Sequence, residues 1–201
     1  MLNMRELQHP GRPIEHNPQA VIDAAMLSFW RRGYDGCSLA DLLNATGLSK
    51  SSLYQSYGNK KQIFLLTLAH YSEHETMAMR QEIKAAKTGY NFFENLIESF
   101  AGKTVPHWKS GCLIANTVAE FGQSDPEIGA ALKLALNNYV SVFSKAIVKG
   151  HEDSSIATDQ SAEDLAHYLI ISLNGLRTMM KAGMGDAHIR KAGFMILQTL
   201  N

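Results

Sequence analysis

The fold of this chain is decided by the stretch from Ser38 to Lys60, SLADLLNATGLSKSSLYQSYGNK, which predicts two short helices joined by a tight turn. Ser38 is a favourable N-cap, and Asp41 three residues later completes a capping box for the first helix. Gly47 supplies the turn, because a residue without a Cβ adopts positive φ at little cost. Ser49 is a second N-cap and begins the second helix. This pattern is typical of a helix-turn-helix.

The second helix of this unit, Lys50–Tyr57, has a composition suited to contact with DNA. Only Leu53 and one tyrosine need to face inward, and the other side chains are mostly small or flat hydrogen-bonding groups. Such groups enter the major groove without a steric block, and the second helix of a helix-turn-helix lies in that groove. The residues expected to face the groove are Lys50, Ser51, Ser52, Tyr54 and Gln55. The candidates for phosphate contact are Ser38, Tyr54, Tyr57 and Lys60.

A purely structural interpretation of the same stretch stays open on the spacing alone. Two short helices around a glycine also occur in all-α proteins without a nucleic-acid role, and a polar helix is often only a solvated face. The alternative function is therefore a helical protein-interaction or scaffold module whose helix-turn-helix is structural.

The flanks of the helix-turn-helix carry a resemblance that favours DNA binding. The stretch over residues 19–64 resembles the amino-terminal domain of the tetracycline-repressor (TetR) family along its whole length. Its sequence is QAVIDAAMLSFWRRGYDGCSLADLLNATGLSKSSLYQSYGNKKQIF. The matching features are the Ile22, Ala25 and Phe29 stripe, Arg32-Gly33-Tyr34, Leu48-Ser49-Lys50, Tyr54, Tyr57, Gly58-Asn59-Lys60 and Ile63-Phe64. Tyr57 is a mild departure, because the family usually has phenylalanine there. The likeness spans about residues 11–70, and beyond it the resemblance is mostly architectural.

The resemblance implies an all-α fold, with an amino-terminal three-helix helix-turn-helix domain and a larger helical ligand-binding and dimerisation domain. The corresponding division is a flexible arm over residues 1–16, a DNA-binding domain over 17–62 and a regulatory domain over 63–201. It also implies a ligand-responsive transcriptional regulator, usually a repressor, that binds a palindromic operator in double-stranded DNA as a homodimer. A small-molecule or electrophile effector would release the protein from the operator.

Composition and motifs argue against several other classes of protein. The formal net charge is zero, so no global basic field indicates nucleic-acid binding. The two cysteines, Cys37 and Cys112, lie far apart, which suits a reducing cytoplasm better than a disulfide framework or a four-ligand zinc site. No secretory signal, no apolar run of ~18 residues and no catalytic motif is present. We therefore expect a cytoplasmic protein that is not an enzyme and has no cofactor, metal or membrane contact.

Helical periodicity and cap residues predict the remaining helices. Their expected ranges are about Pro18–Arg32, Lys60–Ala86, Tyr90–Lys103, Cys112–Gly122, Pro126–Lys149, Ala162–Ala182 and Ala187–Leu200. The penultimate helix is apolar over most of its circumference, so it needs cover on both sides. We predict that it forms a four-helix homodimer interface with the last helix; the alternative is that both belong to the core of a monomer. The residues assigned to the interface are Gly175, Ala182, Ile189, Ala192, Gly193, Ile196 and Leu197.

The segment Ser110-Gly111-Cys112-Leu113 resembles its equivalent in one TetR branch, whose members sense electrophiles through a cysteine after this glycine. A thiol at a helix N-terminus gains thiolate character from the helix dipole. A packing role is the alternative, because cysteine is among the most buried residue types. The resemblance also implies a ligand cavity in the regulatory domain. Its candidate residues are Trp108, Cys112, Asn116, Glu120, Tyr139, Phe143, Tyr168 and Met179.

Overall fold

Nine α-helices build the part of the chain described by the computed structural model, residues 17–102 and 110–201. They are α1 (Pro18–Arg32), α2 (Leu39–Thr46), α3 (Lys50–Tyr57), α4 (Lys60–Ala85), α5 (Gly89–Ala101), α6 (Leu113–Phe121), α7 (Pro126–Glu152), α8 (Ala162–Lys181) and α9 (Asp186–Leu197). A short 3₁₀ helix, Gln198–Leu200, follows α9, and these residues contain no β-strand. The all-α fold class is confirmed. The predicted arm over residues 1–16 and Trp108 lie outside the described residues.

The helices begin and end within a few residues of the predicted positions, and side-chain caps fix several of their starts. At the start of α1, the Asn17 side chain accepts a hydrogen bond from the backbone N–H of Gln19. At the start of α7, the Asp125 side chain accepts from the N–H groups of Glu127 and Ile128. Each bond satisfies a donor that a helix N-terminus would otherwise leave unpaired.

The helix-turn-helix forms as predicted. The Ser38 Oγ accepts a hydrogen bond from the Asp41 N–H at 3.1 Å, and the Ser38 N–H donates to the Asp41 carboxylate at 2.9 Å. The hydrogen bonds donated by the Ser38 hydroxyl and N–H lower the pKa of Asp41. Gly47 has a left-handed conformation with φ of 70°, and the Ser49 hydroxyl then accepts from the Ser52 N–H to begin α3.

Within the described residues, two hydrophobic clusters hold the helices together. The first joins α1–α3 and the start of α4 to α6 and α7. Its large buried side chains include Phe29, Leu42, Leu53, Phe64, Leu113 and Ile128. The second cluster lies mainly among α5, α7, α8 and α9, around Phe92, Phe93 and Phe143. Because the first cluster includes residues from α6 and α7, the helix-turn-helix and the later helices share a continuous core.

Of the five predicted interface residues of α9, all within the described part of the chain, three are buried and two, Ala192 and Ile196, are partly buried. Ile189, Gly193 and Leu197 are buried in the second cluster or against it. A Cβ on Gly193 would clash with the side chain of Ile97 in α5, so this glycine permits close packing within one chain. The assignment of this face of α9 to a contact between protomers is therefore corrected. Periodicity reveals that a face is apolar, but it does not reveal which molecule covers it.

A second apolar face of α8 and α9 stays exposed in the single chain. We call it the α8–α9 face; its members are Tyr168, Ile171, Gly175, Met179, Phe194 and Met195. Ile171 is 73% exposed and Met195 is 59% exposed, values unusual for apolar side chains of this size. The spacing of the α8 members places them along one stripe of that helix. An exposed apolar stripe of this kind is typical of an interaction surface.

Candidate DNA interface and ligand cavity

The outer face of α3 presents the residues that are predicted to face the major groove. All five are exposed: Lys50, Ser51, Ser52, Tyr54 and Gln55. On the inner side, Leu53 is fully buried and Tyr57 is half-buried, so these two side chains attach α3 to the core. The Lys50 Nζ lies 5.9 Å from the centre of the Tyr54 ring. The outer face of α3 is thus a solvent-exposed polar surface that carries the positive charge of Lys50.

The candidates for phosphate contact lie around this surface in different settings. Ser38 is exposed, but its hydroxyl donates a hydrogen bond to Asp41 at 2.6 Å and so serves the cap of α2. Lys60 begins α4, and its Nζ lies 4.3 Å from the centre of the Tyr34 ring, a cation–π distance. Tyr57 has only part of its side chain available, because the rest packs in the core.

Glu120 contacts the DNA-binding helices rather than the cavity. Its carboxylate accepts hydrogen bonds from the backbone N–H groups of Tyr34 at 2.9 Å and Asp35 at 2.8 Å, in the turn after α1. The neighbouring Phe121 ring packs edge-on against Tyr34, with 5.3 Å between ring centres. The predicted cavity role of Glu120 is therefore corrected. The nine residues of α6 span about 13 Å, so its last turn lies away from the cavity at its first turn.

A second polar contact joins α4 to α7 beside the start of α4. The Lys61 Nζ lies 2.8 Å from the Asp125 carboxylate and 2.7 Å from that of Glu127. The hydrogen bond from Lys61 lowers the pKa of Asp125, and the bonds to Asp125 and Glu127 raise the pKa of Lys61. Solvent-exposed ion pairs contribute little to stability, so the main effect is to fix the relative position of the two helix starts.

Gly111, just before α6, is joined both to the DNA-binding helices and to α8. Its carbonyl oxygen accepts hydrogen bonds from Trp30 Nε1 at 3.1 Å and from Arg177 Nη2 at 3.2 Å. Its φ of 72° lies in the left-handed region that favours glycine. The Trp30 ring also packs edge-on against Tyr71 of α4, with 5.0 Å between ring centres. Both ends of α6 are thus attached to α1 or the turn after it.

A cavity of about 370 Å³ lies among α4, α5, α6, α7 and α8. Its apolar lining includes Met79, Leu96, Phe100, Ile114, Leu136, Phe143, Ile170 and Leu173. Among the described residues, the polar lining comprises His74, Glu75, Glu82, Ser99, Cys112, Tyr139, Asn174 and Arg177. The volume falls in the range of about 300–1,000 Å³ that small-molecule sites occupy. Such sites also combine apolar side chains with polar groups that can orient a ligand, as this wall does.

Three of the predicted cavity residues line it: Cys112, Tyr139 and Phe143. Asn116 lies outside, where its side chain donates to the Ser110 carbonyl at 2.7 Å and accepts from Lys181 at 3.2 Å. Tyr168 and Met179 also lie outside, on the exposed α8–α9 face. Their placement is corrected for the same reason in both cases: α8 is apolar on two faces, and only one of them borders the cavity.

The charged groups of the cavity could not be identified from the sequence. The Arg177 side chain is only 13% exposed; its guanidinium donates to the Tyr71 hydroxyl at 3.4 Å and lies 3.8 Å from the Glu75 carboxylate. One signal was available, since a lone arginine inside an apolar helix needs a partner for its charge. Nothing in the sequence showed that Glu75 and Glu82 of α4 would face it across a cavity.

Cys112 lies where the cavity wall, Tyr71 and α6 meet. The residue is 5% exposed and occupies the N-cap position of α6, where its side chain makes no capping hydrogen bond. The Tyr71 hydroxyl donates to the Cys112 Sγ at 3.8 Å. Burial raises the pKa of Tyr71, so its hydroxyl keeps its proton at neutral pH. The Tyr139 hydroxyl is also buried and has no hydrogen-bond partner among the described residues.

The amino-terminal and carboxy-terminal parts of the chain both match sequence models of one protein family. Residues 21–67 match the model described as "Bacterial regulatory proteins, tetR family". Residues 91–193, about half of the chain, match the model described as "Tetracyclin repressor-like, C-terminal domain". The chain belongs to the TetR family.

Curated TetR-type relatives are similar over much of the chain. The transcriptional repressor ComR of Escherichia coli (strain K12) is 30% identical over 128 residues, which cover 61% of this chain and 60% of ComR. The transcriptional repressor DhaR of Mycobacterium sp. (strain GP1) is 26% identical over 168 residues, covering 81% of each chain.

Solved TetR structures have the same fold. A cysteine mutant of CifR complexed with a 26 bp double-strand operator DNA is 26% identical and has a TM-score of 0.78, covering 95% of this chain and 100% of CifR. The reduced form of E. coli NemR has a TM-score of 0.79 at 15% identity, covering 91% of this chain and 96% of NemR. At that identity the NemR likeness concerns the fold alone.

Membership of the TetR family decides between the alternatives that the sequence left open. The family consists of DNA-binding transcriptional regulators, so the helix-turn-helix is a DNA-binding element and not only a structural one. For the same reason the chain is not an enzyme, as expected. Over residues 17–102 and 110–201, no helix combines the length and apolar character that a bilayer span requires.

Removing the Glu120 carboxylate should loosen the attachment of α1 to α6. We expect Glu120→Ala to lower the free energy of unfolding by about 1 kcal/mol, because two charge-assisted hydrogen bonds are lost at a site where water can partly replace them. Glu120→Gln keeps an acceptor oxygen, so it should lower the free energy of unfolding by less. Urea-induced unfolding followed by circular dichroism measures the change. Glu73→Ala, which removes an exposed carboxylate of α4, is the control, and equal losses for Glu73→Ala and Glu120→Ala would contradict the expectation.

Proposed function

We propose that this TetR protein is a repressor that binds a palindromic operator as a homodimer and leaves it when a small molecule occupies the cavity. The observation that carries the proposal is the position of α6, which borders the cavity at Cys112 and contacts the turn after α1 at Glu120. A ligand that moves the cavity wall therefore acts on a helix that also holds the DNA-binding helices.

The named relatives support the repressor role. CifR is solved with operator DNA, and ComR and DhaR are named as transcriptional repressors. The two activities would follow the predicted domains. Residues 17–62 would bind DNA, and residues 63–201 would bind the effector and the second protomer. Binding to an operator implies a cytoplasmic location.

On the operator, α3 would lie in the major groove with its exposed face toward the bases. The Gln55 amide suits bidentate pairing with adenine, and Lys50 suits guanine or a phosphate. Lys60, at the start of α4, would contact a phosphate and add affinity without sequence preference. The two protomers would place their α3 helices about one DNA turn apart.

Two substitutions should separate base reading from phosphate contact. Lys60→Ala should weaken binding to all DNA sequences and reduce the slope of log affinity against log salt by about one unit, because one phosphate contact is lost. Gln55→Ala should instead relax the base preference, at a cost of about 1–3 kcal/mol on the preferred operator. Fluorescence anisotropy with a selected operator and with altered sequences, across a salt series, measures both the salt dependence of binding and the base preference.

The control for charge is Lys145→Ala, which removes an exposed lysine of α7 and should leave binding unchanged. If Lys60→Ala and Gln55→Ala bind the operator as tightly and as selectively as the native protein, the assignment of α3 as the reading helix is wrong.

The homodimer would form through the α8–α9 face. This face is apolar, exposed and continuous along α8 from Tyr168 to Met179. Gly175 lies in its middle, exposed and with no atom within 4 Å of the position its Cβ would occupy, so a second helix could approach closely there. Packing of the two faces across a two-fold axis would give the four-helix arrangement predicted from the sequence.

Gly175→Arg should break the proposed dimer by placing an unpaired charge in its apolar centre. We expect a folded monomer by analytical ultracentrifugation and a loss of operator affinity of about 100-fold or more, because each half-site alone binds weakly. Gly129→Arg is the matched control on α7, at a helical glycine whose Cβ would likewise meet no atom. An intact dimer for Gly175→Arg would exclude this face as the interface.

The effector would act by one of two routes, and the setting of Cys112 gives specific support to a covalent one. The thiol lies in the cavity wall, next to the Tyr71 hydroxyl and at the N-cap of α6. Addition of the thiol across the double bond of an electrophile would form one S–C bond and move the thiol proton to the electrophile. The added bulk would then strain packing that cannot absorb it without movement. A non-covalent apolar ligand is the other route.

N-ethylmaleimide distinguishes the two routes. Added to the operator complex, it should release the native protein and leave the Cys112→Ser variant bound, as followed by anisotropy of labelled operator. The control is Cys37→Ser, which removes the other cysteine, a buried residue of the DNA-binding helices. N-ethylmaleimide should still release this variant from the operator. Equal behaviour of the native protein and Cys112→Ser would exclude thiol sensing and leave a non-covalent effector.

A further inference from the structure

The charged groups that line the cavity are unequal in number. Among the described residues, two carboxylates, those of Glu75 and Glu82, face one guanidinium, that of Arg177. His74 is the only other titratable basic group of the described lining. The carboxylates of the described wall thus outnumber the guanidinium by one.

Arg177, the guanidinium on the described part of the wall, already has several partners within the protein. Arg177 donates from the same nitrogen to the Gly111 carbonyl and the Tyr71 hydroxyl, and it lies 3.8 Å from the Glu75 carboxylate. Its guanidinium carbon also lies 5.7 Å from the centre of the Phe100 ring. An anionic ligand would have to compete with these partners and with two carboxylates for this charge. The cavity is therefore poorly suited to an anion.

Glu82 is the carboxylate left over. It forms no hydrogen bond or ion pair with another residue in the described part of the chain, while Glu75 has Arg177. Partial burial, with a smaller effect from Glu75, raises the pKa of Glu82, as expected for a carboxylate without a cation beside it. Glu75 and Glu82 are seven residues apart, two helical turns, and so face the cavity on the same side of α4. By its accessible surface Glu82 is exposed, so its carboxylate lies at the mouth of the cavity, partly covered by the wall and partly in solvent.

The rest of the wall is apolar and rich in aromatic rings. Phe100, Tyr139 and Phe143 lie on the wall together with aliphatic side chains from five helices. Aromatic faces attract organic cations, and apolar side chains favour a hydrocarbon body. A cavity of about 370 Å³ holds a molecule of small-drug size.

We propose that the cavity binds a lipophilic organic cation, with its ammonium group at Glu82 and Glu75 and its apolar body against Phe100 and Phe143. The proposal rests on the proposed function, in which this cavity is the effector site. A neutral apolar molecule would fill the same space but leave the excess carboxylate without a partner. An anion of the same shape would meet repulsion from both carboxylates.

Three compounds of nearly equal size and shape test the charge preference: 4-phenylbutylamine, 4-phenylbutanol and 4-phenylbutanoate. At pH 7.5 they are a cation, a neutral molecule and an anion. With the full-length protein in isothermal titration calorimetry, the amine should bind at least about tenfold more tightly than the alcohol, and the acid should bind most weakly.

Substitutions locate the charge that is responsible. Glu82→Gln should weaken binding of the amine by about fivefold and change binding of the alcohol by less than about twofold, because only the partly solvated ion pair is lost. Glu73→Gln is the matched control, since it removes an exposed carboxylate of the same helix that does not line the cavity. Tighter binding of the alcohol or the acid than of the amine overturns the proposal, as does an unchanged amine affinity in Glu82→Gln.

Release of labelled operator, measured on the same samples, separates this inference from the proposed function. If the amine binds in the expected order but releases no operator, the ligand class stands and the effector role of the cavity fails. If the alcohol or the acid binds more tightly than the amine and releases the operator, the effector role stands and the ligand class is wrong.

Discussion

The structure depends on one acceptor, the carbonyl oxygen of Gly111, which takes hydrogen bonds from two distant parts of the chain. The Trp30 indole reaches it from the DNA-binding helices, and the Arg177 guanidinium reaches it from α8. A buried indole N–H or guanidinium without a partner is costly, so neither donor can leave this oxygen freely. The turn before α6 is thereby fixed against both α1 and α8.

Arg177 connects the Gly111 carbonyl to side chains at the cavity. A mostly buried guanidinium requires several partners, and it finds them on α4 in Tyr71 and Glu75 as well as in the turn before α6. The cavity therefore lies beside a set of polar contacts that hold α4, α6 and α8 together. At the other end of α6, Glu120 and Phe121 pack against the turn after α1. The space for a ligand and the position of the DNA-binding helices are thus governed by the same few contacts.

The features that could be predicted from the sequence are those set by local chemistry. Ser38 and Gly47 determine their helix ends through atoms a few residues away, so the helix-turn-helix and the helix bounds follow from the sequence. The rotation of a helix in the assembled fold is not local. Gly193 lies on one of two apolar faces of α9, and nothing near it in sequence shows that Ile97 packs there. Glu120 likewise finds its partners 85 and 86 residues away.

The length of α4 has a geometric consequence for any movement at the cavity. From Lys60 at its start to Glu82 at the cavity, a continuous helix spans about 33 Å. A tilt of about 5° around one end displaces the other by about 3 Å, close to the rise of one DNA base pair. In a two-fold symmetric pair the two displacements add. A tilt of α4 that is small in angle is therefore large when its effect is measured along the DNA groove.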